Sequence, residues 1–400
     1  MRSTRGALLC LVLSLLGISV CAYLVFLHLG LLRGELLGGI ACGTSGSFNC
    51  HAVTSSPWSA WFGMPLSFWG LIGYIGTLTL ALLVWAAPDC RTNALTVLVA
   101  VSSLFIAIDA ILFGVMALQI RYFCPLCLST YAINLGLLVS ALWSLGTSLG
   151  SALQQAPRAL ISLLPSRKQP ATLLAALVLC VAIASIVGLH VATVFVAQGD
   201  RAVLRKQLHD FVANQPQVSV DTASDPAVGP VNAPLQLVEF SDLFCPVCQR
   251  ASKFNTIMLA AHRDAIHFVF KHFPLDMNCN DTVTRSVHPG ACLAAAATEC
   301  AHQQGKFWPF HDRIFEKGHD YDPTNLSRDA VQLGLNTTQF ERCMSSGAGM
   351  EAVKQDIAEG KRLGITSTPT YIVNGLKVPG VLTPALFGEL VDALHDVQHR

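Results

Sequence analysis

Five long apolar runs separated by short polar stretches fill the first half of the chain: Ala7–Leu29, Leu66–Ala87, Leu95–Leu118, Cys127–Thr147 and Ala171–Ala197. Each reaches the roughly 20 residues that a helix needs to cross a bilayer, so each predicts a membrane-spanning helix. For the first run a cleaved signal peptide is the competing reading; the run is too long for one, and no small-residue cleavage site follows cleanly. An odd number of crossings puts the two termini on opposite sides of the membrane. From Gln198 the pattern becomes that of a soluble domain. Asp200 to Ala233 is polar and punctuated by Pro216, Pro226 and Pro230, which predicts a short helical stalk followed by a linker. Leu235–Phe240 then alternates as a strand does, an amphipathic helix follows to about His262, and Asn374-Gly375 marks a hairpin turn after a second short strand. A long helical insertion lies between Leu275 and Lys361.

Composition agrees with the runs. The chain is 52% hydrophobic and only 13% charged, where soluble domains carry about a quarter charged residues. A formal net charge of +1 argues against nucleic acid as a partner. Basic residues concentrate in cytoplasmic loops. Arg2, Arg5, Arg91, Arg158, Arg167 and Lys168 share one side if the first span runs outward, leaving only Arg33 and Arg121 in the short loops of the other. That orientation places Cys42, Cys50, Cys124, Cys127 and everything after Ala197 outside the cytoplasm. Of the 14 cysteines, Cys10, Cys21 and Cys180 fall within spans, where they read as packing residues, and Cys90 in a cytoplasmic loop. The remainder, an even number in an oxidising compartment, suggests five dithiol pairs.

Two of these pairs carry chemistry in their spacing. Cys124-Pro125-Leu126-Cys127 sits at the seam between two apolar runs, where a dithiol meets both water and lipid. Two cysteines three apart can close a small disulfide, and a helix start lowers a thiol pKa through the dipole. The competing readings are half a zinc site or two buried thiols; zinc needs two more ligands at short spacing, and none lies nearby. Cys245-Pro246-Val247-Cys248 follows a strand and opens a helix, the arrangement of a thioredoxin-like redox motif. Cys245 is then the attacking thiolate, and Cys248 resolves the mixed disulfide. Cys42 and Cys50 lie in a glycine-rich loop that can swing between partners, with a static bracing disulfide as the alternative. Trp58, Trp61 and Phe62 form an interfacial aromatic segment able to cap a site beneath. Asp109 sits inside the third span, where an ionisable group is costly; a paired or water-facing aspartate and a role in proton transfer both stay open. Cys279, Cys292, Cys300 and Cys343 allow three connectivities, of which Cys279–Cys292 and Cys300–Cys343 are expected as structural disulfides. His288 and His311 read as surface or capping residues, and no spacing makes a metal site.

Cys42 and Cys50, then Ser55-Ser56-Pro57-Trp58, then Cys124-Pro-Leu-Cys127 with Ser129-Thr-Tyr131-Ala-Ile-Asn134, resembles the vitamin K epoxide reductase family, in particular its bacterial members, over roughly residues 10 to 147. The resemblance implies that the membrane dithiol exchanges electrons with a quinone inside a four-helix bundle, and that the loop dithiol receives them from a thioredoxin-like partner. By position it makes Cys127 the cysteine that meets the quinone and Cys124 its exchange partner. Ser56 matches the family's loop Ser/Thr, and Tyr131 lines the quinone pocket. The family's quinone-contacting asparagine of the second span has no match here. Residues 231 to 398 resemble the DsbA group of thiol oxidoreductases: Ile365-Thr-Ser-Thr368-Pro369-Thr-Tyr371 is similar to the segment in which a cis-proline packs against the dithiol and the preceding residue pairs with bound substrate.

The expected protein is therefore multi-domain. Residues 1–150 form an all-α transmembrane four-helix bundle, 151–233 a fifth linking transmembrane helix and extracytoplasmic linker, and 234–400 an α/β thioredoxin-like domain with a helical insertion. Its expected function is quinone-dependent disulfide formation in exported proteins. Electrons pass from Cys245/Cys248 through Cys42/Cys50 to Cys124/Cys127 and a membrane quinone, ubiquinone or menaquinone. A quinol-driven reductase or isomerase of secreted disulfides is the alternative within enzymes, and a tethered non-catalytic peptide-binding or chaperone module the alternative outside them. The expected setting is the bacterial cytoplasmic (inner) membrane, with a periplasmic C-terminal domain. The expected partners are quinone, reduced exported proteins and the lipid bilayer, around a monomer.

Overall fold

The computed structural model describes residues 2–32, 48–165, 169–318 and 321–398. Cys42 lies outside the described residues, as do Arg33, Arg167 and Lys168. The chain divides into two compact units, Met1–Asp200 and Arg201–Arg400.

In the first unit α1 (Arg2–Leu32) is followed by the short α2 (Cys50–Ser55) and a hairpin of β1 (Ala60–Trp61) and β2 (Met64–Pro65). The helices α3 (Leu66–Ala86), α4 (Arg91–Val115), α5 (Pro125–Leu145) and α6 (Leu149–Ser162) come next, and α7 (Pro170–Asn214) begins in this unit and ends in the second. Among the described residues five stretches are long and apolar enough to cross a membrane: Arg5–Leu31, Leu66–Ala86, Pro88–Ile120, Pro125–Leu145 and Pro170–Val194. α1 and α4 each pack on both α3 and α5, which closes a four-helix bundle. Its interior holds Cys10, Cys21, Tyr74, Leu98 and Leu137. Polar contact also joins its helices: the hydroxyls of Ser14 on α1 and Thr77 on α3 lie 2.9 Å apart. Leu15, Leu16, Phe26, Leu104, Ile111 and Val139 stay exposed, as residues facing lipid rather than water would.

Three local features depart from the expectation. α7 is one helix of 45 residues, so the fifth span and the stalk are continuous; neither proline nor glycine run interrupts it before Asn214. α6 is an additional amphipathic helix, with Ala152 and Ala159 buried and Leu153, Leu160 and Ile161 exposed. Cys180, expected to pack, is exposed on α7.

The second unit is built on a five-stranded sheet of order β3-β5-β4-β6-β7. Its strands are β3 (Ala227–Val228), β4 (Leu235–Ser241), β5 (Ile266–His272), β6 (Thr370–Val373) and β7 (Leu376–Pro379). β4 and β5 are parallel, in register from Leu235 opposite Ile266 to Ser241 opposite His272. β6 runs antiparallel to both β4 and β7, and β3 antiparallel to β5. A parallel pair needs a crossover, supplied by α8 (Pro246–Ala261). The β6–β7 turn takes Asn374 and Gly375 at φ of 45° and 86°, the left-handed values an Asn-Gly hairpin calls for. The central strands are buried on both faces, and β5 carries the apolar Phe268, Val269 and Phe270 between His267 and the Lys271-His272 pair. The insertion comprises α9 (Ala291–His302), α10 (Phe307–Lys317), α11 (Leu326–Gln332), α12 (Thr337–Ser346) and α13 (Ala348–Arg362), and α14 (Pro384–Gln398) closes the unit. Helix and sheet in this order make an α/β thioredoxin-like domain with a helical insertion.

Candidate functional site

The membrane dithiol stands where a helix begins. Cys124 is the N-cap of α5 in extended geometry, and Pro125 takes the first helical position, where its missing N–H costs nothing. The Cys127 backbone N–H donates to Cys124 Sγ at 3.1 Å, and the two sulfurs form a disulfide. Their surroundings differ. Cys124 is fully buried, whereas Cys127 is part-buried and lines a cavity of about 210 Å³.

Cys50 is brought to the buried side of this pair. Phe48 bridges Phe123, and the Asn49 N–H donates to the Phe123 carbonyl at 3.0 Å. Asn49 then caps α2, its Oδ1 accepting from Ala52 N at 2.9 Å. Cys50, disulfide-bonded and fully buried, consequently shares one apolar cluster with Cys124, Leu24, Leu27, Met116 and Ile120. On the open side of the cavity, the roof is the β1–β2 hairpin, whose tight turn holds Phe62 and Gly63 at φ of 52° and 76°. Trp69 Nε1 donates to the Trp61 carbonyl at 3.1 Å and ties this hairpin to α3.

Most of the cavity wall is apolar, with a few convergent polar groups. Ser56 and Tyr131 line it, as do three residues joined in a chain. The Tyr74 hydroxyl on α3 donates to Asn134 Oδ1 at 2.8 Å, and Asn134 Nδ2 on α5 donates to Asp109 Oδ2 on α4 at 2.8 Å. Sequence reasoning left Asp109 unassigned and did not single out Tyr74 or Asn134. Asn134 was within reach, since it stands seven residues after Cys127 with Tyr131 between them, a spacing that puts all three on one helix face.

The second dithiol opens α8 in the same way, with Cys245 at the N-cap and Pro246 next. Cys245 and Cys248 are both free thiols here, 5% and 0% exposed. The Cys245 thiol is lowered to about 6 by its hydrogen bond with the Cys248 side chain, then by the backbone N–H groups of Cys248 and Val247, against the opposing effect of burial. Burial pushes the Cys248 thiol well above its ordinary value. The pair is thus split into a ready thiolate and a held thiol. Thr368-Pro369 is a cis peptide, and the Thr368 carbonyl lies 3.7 Å from Cys245 Sγ. Beneath the dithiol, Glu239 on β4 is buried and accepts from Asn255 Nδ2, while Tyr371 donates to Asn255 Oδ1 at 3.0 Å. Burial pushes the Glu239 carboxyl up to about 7, with Ser241 and Asn255 pulling it down. Glu239 was missed in the sequence; its signal is a lone acid in an otherwise apolar strand.

The insertion cysteines form two disulfides, Cys279–Cys292 and Cys300–Cys343, the second tying α9 to α12. Of the two histidines read as surface or capping residues, His288 is part-buried and His311 is buried. His288 Nδ1 lies 2.7 Å from Asp242 Oδ2, and Asp242, fully buried, also accepts from Phe244 N and Leu275 N. That partner raises the His288 pKa. His311 is 5% exposed, with its ring edge-on to Phe270 and Phe315. Among the described residues no cluster of histidine, cysteine or acidic groups could hold a metal ion.

Comparison with known proteins accounts for both halves. The vitamin K epoxide reductase family matches residues 8–142, and a thioredoxin family matches residues 221–393. Among curated proteins, the chain is similar to the Na(+)/H(+) antiporter NhaA 3 of Salinispora tropica, 32% identical over 163 residues, covering 41% of this chain and 24% of that protein. It is likewise 33% identical over 161 residues to the antiporter NhaA of Herminiimonas arsenicoxydans, covering 40% and 24%. The chain spans about a quarter of the length of these relatives. Among solved structures, a thioredoxin-like oxidoreductase from Silicibacter pomeroyi shares 26% identity, covering 44% of this chain and 94% of that one with a TM-score of 0.37. Oxidised BdbD from Bacillus subtilis shares 22%, covering 46% and 99% with a TM-score of 0.38. The chain is therefore a fusion of a vitamin K epoxide reductase family domain at residues 8–142 with a thioredoxin-like domain at residues 221–393.

Proposed function

We propose that the chain is a membrane thiol-disulfide oxidoreductase that forms disulfides in exported proteins and delivers the electrons to a membrane quinone. The observation that carries this reading is the asymmetry of Cys124–Cys127: one sulfur is buried beside Cys50, the other lines an apolar cavity. A dithiol so placed can take electrons from one side and release them on the other. Cavity walls that are mostly apolar, with hydroxyl, amide and carboxyl groups at a few points, suit a planar ring carrying carbonyl acceptors. Cys127, Tyr131, Ser56, Tyr74 and Asn134 would hold it, and it would supply a two-electron acceptor.

In this reading the Cys245 thiolate of the reduced dithiol takes part in exchange with Cys42/Cys50 after accepting electrons from a reduced client held along Thr368-Pro369. Cys50 then passes them to Cys124. Each exchange needs only contact between a thiolate and a disulfide sulfur. Fusion keeps the soluble dithiol at high effective concentration near the loop. The distribution of basic residues supports an outward-facing thioredoxin-like domain on a bacterial inner membrane.

The test uses the full chain in lipid nanodiscs with a reduced, unfolded substrate and either ubiquinone or menaquinone. Quinone-dependent disulfide formation is expected in the wild type and lost in both Cys127→Ala and Cys245→Ala. Persistence in both variants would sink the relay.

A further inference from the structure

We infer that Asp109 is the proton-exchanging group of the cavity, oriented by Asn134 and Tyr74 toward the ring oxygen that lies farther from Cys127. This rests on the quinone reading above and deepens it.

Three observations converge. Asp109 lines the same cavity as Cys127 and, among the described residues, supplies the only carboxyl of its wall. Its contact is with an amide rather than a cation: Asn134 donates to Oδ2 at 2.8 Å, and among the described residues no lysine, arginine or histidine pairs with it. A carboxyl inside a span is costly unless function retains it, and a cation would have removed that cost while fixing the group as a carboxylate. The amide leaves it free to hold or release a proton.

The direction of the amide is also set. The Tyr74 hydroxyl donates to Asn134 Oδ1 at 2.8 Å, so the Asn134 NH₂ is the end that meets Asp109. Three helices, α3, α4 and α5, thus hold one hydrogen-bond chain whose last member is a carboxyl. That chain lies deeper than the dithiol. Asn134 is two turns beyond Cys127 along α5, about 10 Å at 1.5 Å per residue. The two oxygens of a quinone sit on opposite edges of the ring, so a ring with one edge against Cys127 turns its other oxygen toward Asp109.

Electrons and protons balance without an outside reagent. Cys124 and Cys127 give up two electrons and two protons on closing their disulfide, and conversion of a quinone to its quinol consumes two of each. Asp109 hands its proton to the far oxygen and regains one from those the thiols release. The other titratable groups of the wall are Tyr74 on α3, Tyr131 and Cys127 on α5, and Cys21 and His28 on α1.

The test compares the wild-type chain, Asp109→Asn and Asp109→Glu in nanodiscs, with a short-chain ubiquinone and menadione as probes. In the disulfide form, adding either probe should perturb a protonated-carboxyl band in the infrared difference spectrum, and Asp109→Asn should abolish that change. Binding is read from quenching of tryptophan fluorescence, and single-turnover reoxidation of the Cys124/Cys127 dithiol from alkylation and mass. Asp109→Asn should bind the probes as the wild type does yet reoxidise about a hundredfold more slowly, the scale of a lost general acid. Asp109→Glu, which keeps the acid, should recover rate and band. Wild-type reoxidation by Asp109→Asn, a carboxyl band that survives in it, or loss of binding in step with rate would overturn the assignment. A wild-type dithiol that neither probe reoxidises would remove the quinone reading itself, and the role of Asp109 with it.

Discussion

Asn49 donates its backbone N–H to the carbonyl of Phe123 at 3.0 Å, and the residues that follow each of them, Cys50 and Cys124, are both fully buried in one cluster. The contact joins two segments more than seventy residues apart in the chain and fixes which loop sulfur approaches the membrane dithiol. Removing Cys42 and Cys127 together by substitution to serine should leave Cys50 and Cys124 to each other. A Cys50–Cys124 disulfide is then expected as the dominant species in non-reducing peptide maps. A dominant link from Cys50 to any other cysteine contradicts the arrangement.

At the soluble dithiol the pH dependence follows from the Cys245 thiol, lowered from 9.0 to about 6. Alkylation of the reduced domain by iodoacetamide should rise through an apparent pKa near 6 and plateau by neutral pH, with Cys245 the modified residue. The depressed value also stabilises the reduced, folded form. That contribution is complete above 9 and is lost as pH falls through 6, so relative to a dithiol of ordinary pKa the pair is a stronger oxidant at neutral than at acid pH.

Glu239 has the opposite sign. An unfolded glutamate ionises near 4.5, whereas burial holds the folded carboxyl protonated to about 7. Below 4.5 neither state carries the charge; as pH rises from 4.5 to 7 only the unfolded state ionises, so stability falls, by roughly 3 kcal/mol as an upper bound, and levels off above 7. Glu239→Gln should flatten that decline, which thermal unfolding of the second unit at pH 5 and pH 8 reads directly.

Lys271 on β5 is 4% exposed and reaches three carboxylates, Asp225 at 2.7 Å, Asp356 at 2.9 Å and Glu359 at 3.3 Å. Lys271→Met removes the cation that all three share and, although Arg362 still pairs with Glu359 at 3.1 Å, leaves Asp225 and Asp356 facing each other in a largely dry site. A cost on the order of 3–5 kcal/mol is expected, measured by urea unfolding, and it should shrink at acid pH where the acids protonate.

The two insertion disulfides close loops of different length, 13 residues for Cys279–Cys292 and 43 for Cys300–Cys343. Loop-closure entropy gives about 3 kcal/mol for the first and about 4 kcal/mol for the second. Paired alanine substitutions should rank in that order by denaturant midpoint, while Cys245 alkylation kinetics stay unchanged in both.

Much of this protein is legible in local pattern. Five spans, two Cys-Pro-x-Cys helix starts, the Asn374-Gly375 turn and the Thr368-Pro369 segment all follow from spacing and residue type within a few neighbours. Their physics is local: apolar length against bilayer thickness, proline at the first helical position, glycine at positive φ. The extended α7 and the amphipathic α6 were less legible, because a polar stalk can continue a helix as readily as end it and a short amphipathic run between spans is overshadowed by its neighbours. The sites themselves were decided only in three dimensions. Tyr74 meets Asn134 across 60 residues, Asn134 meets Asp109 across 25, and Cys245 faces Thr368 across 123. A single acidic residue in a largely apolar span or strand, such as Asp109 or Glu239, marks its own cost in the sequence. What offsets that cost lies on another helix or strand, and only packing brings it there.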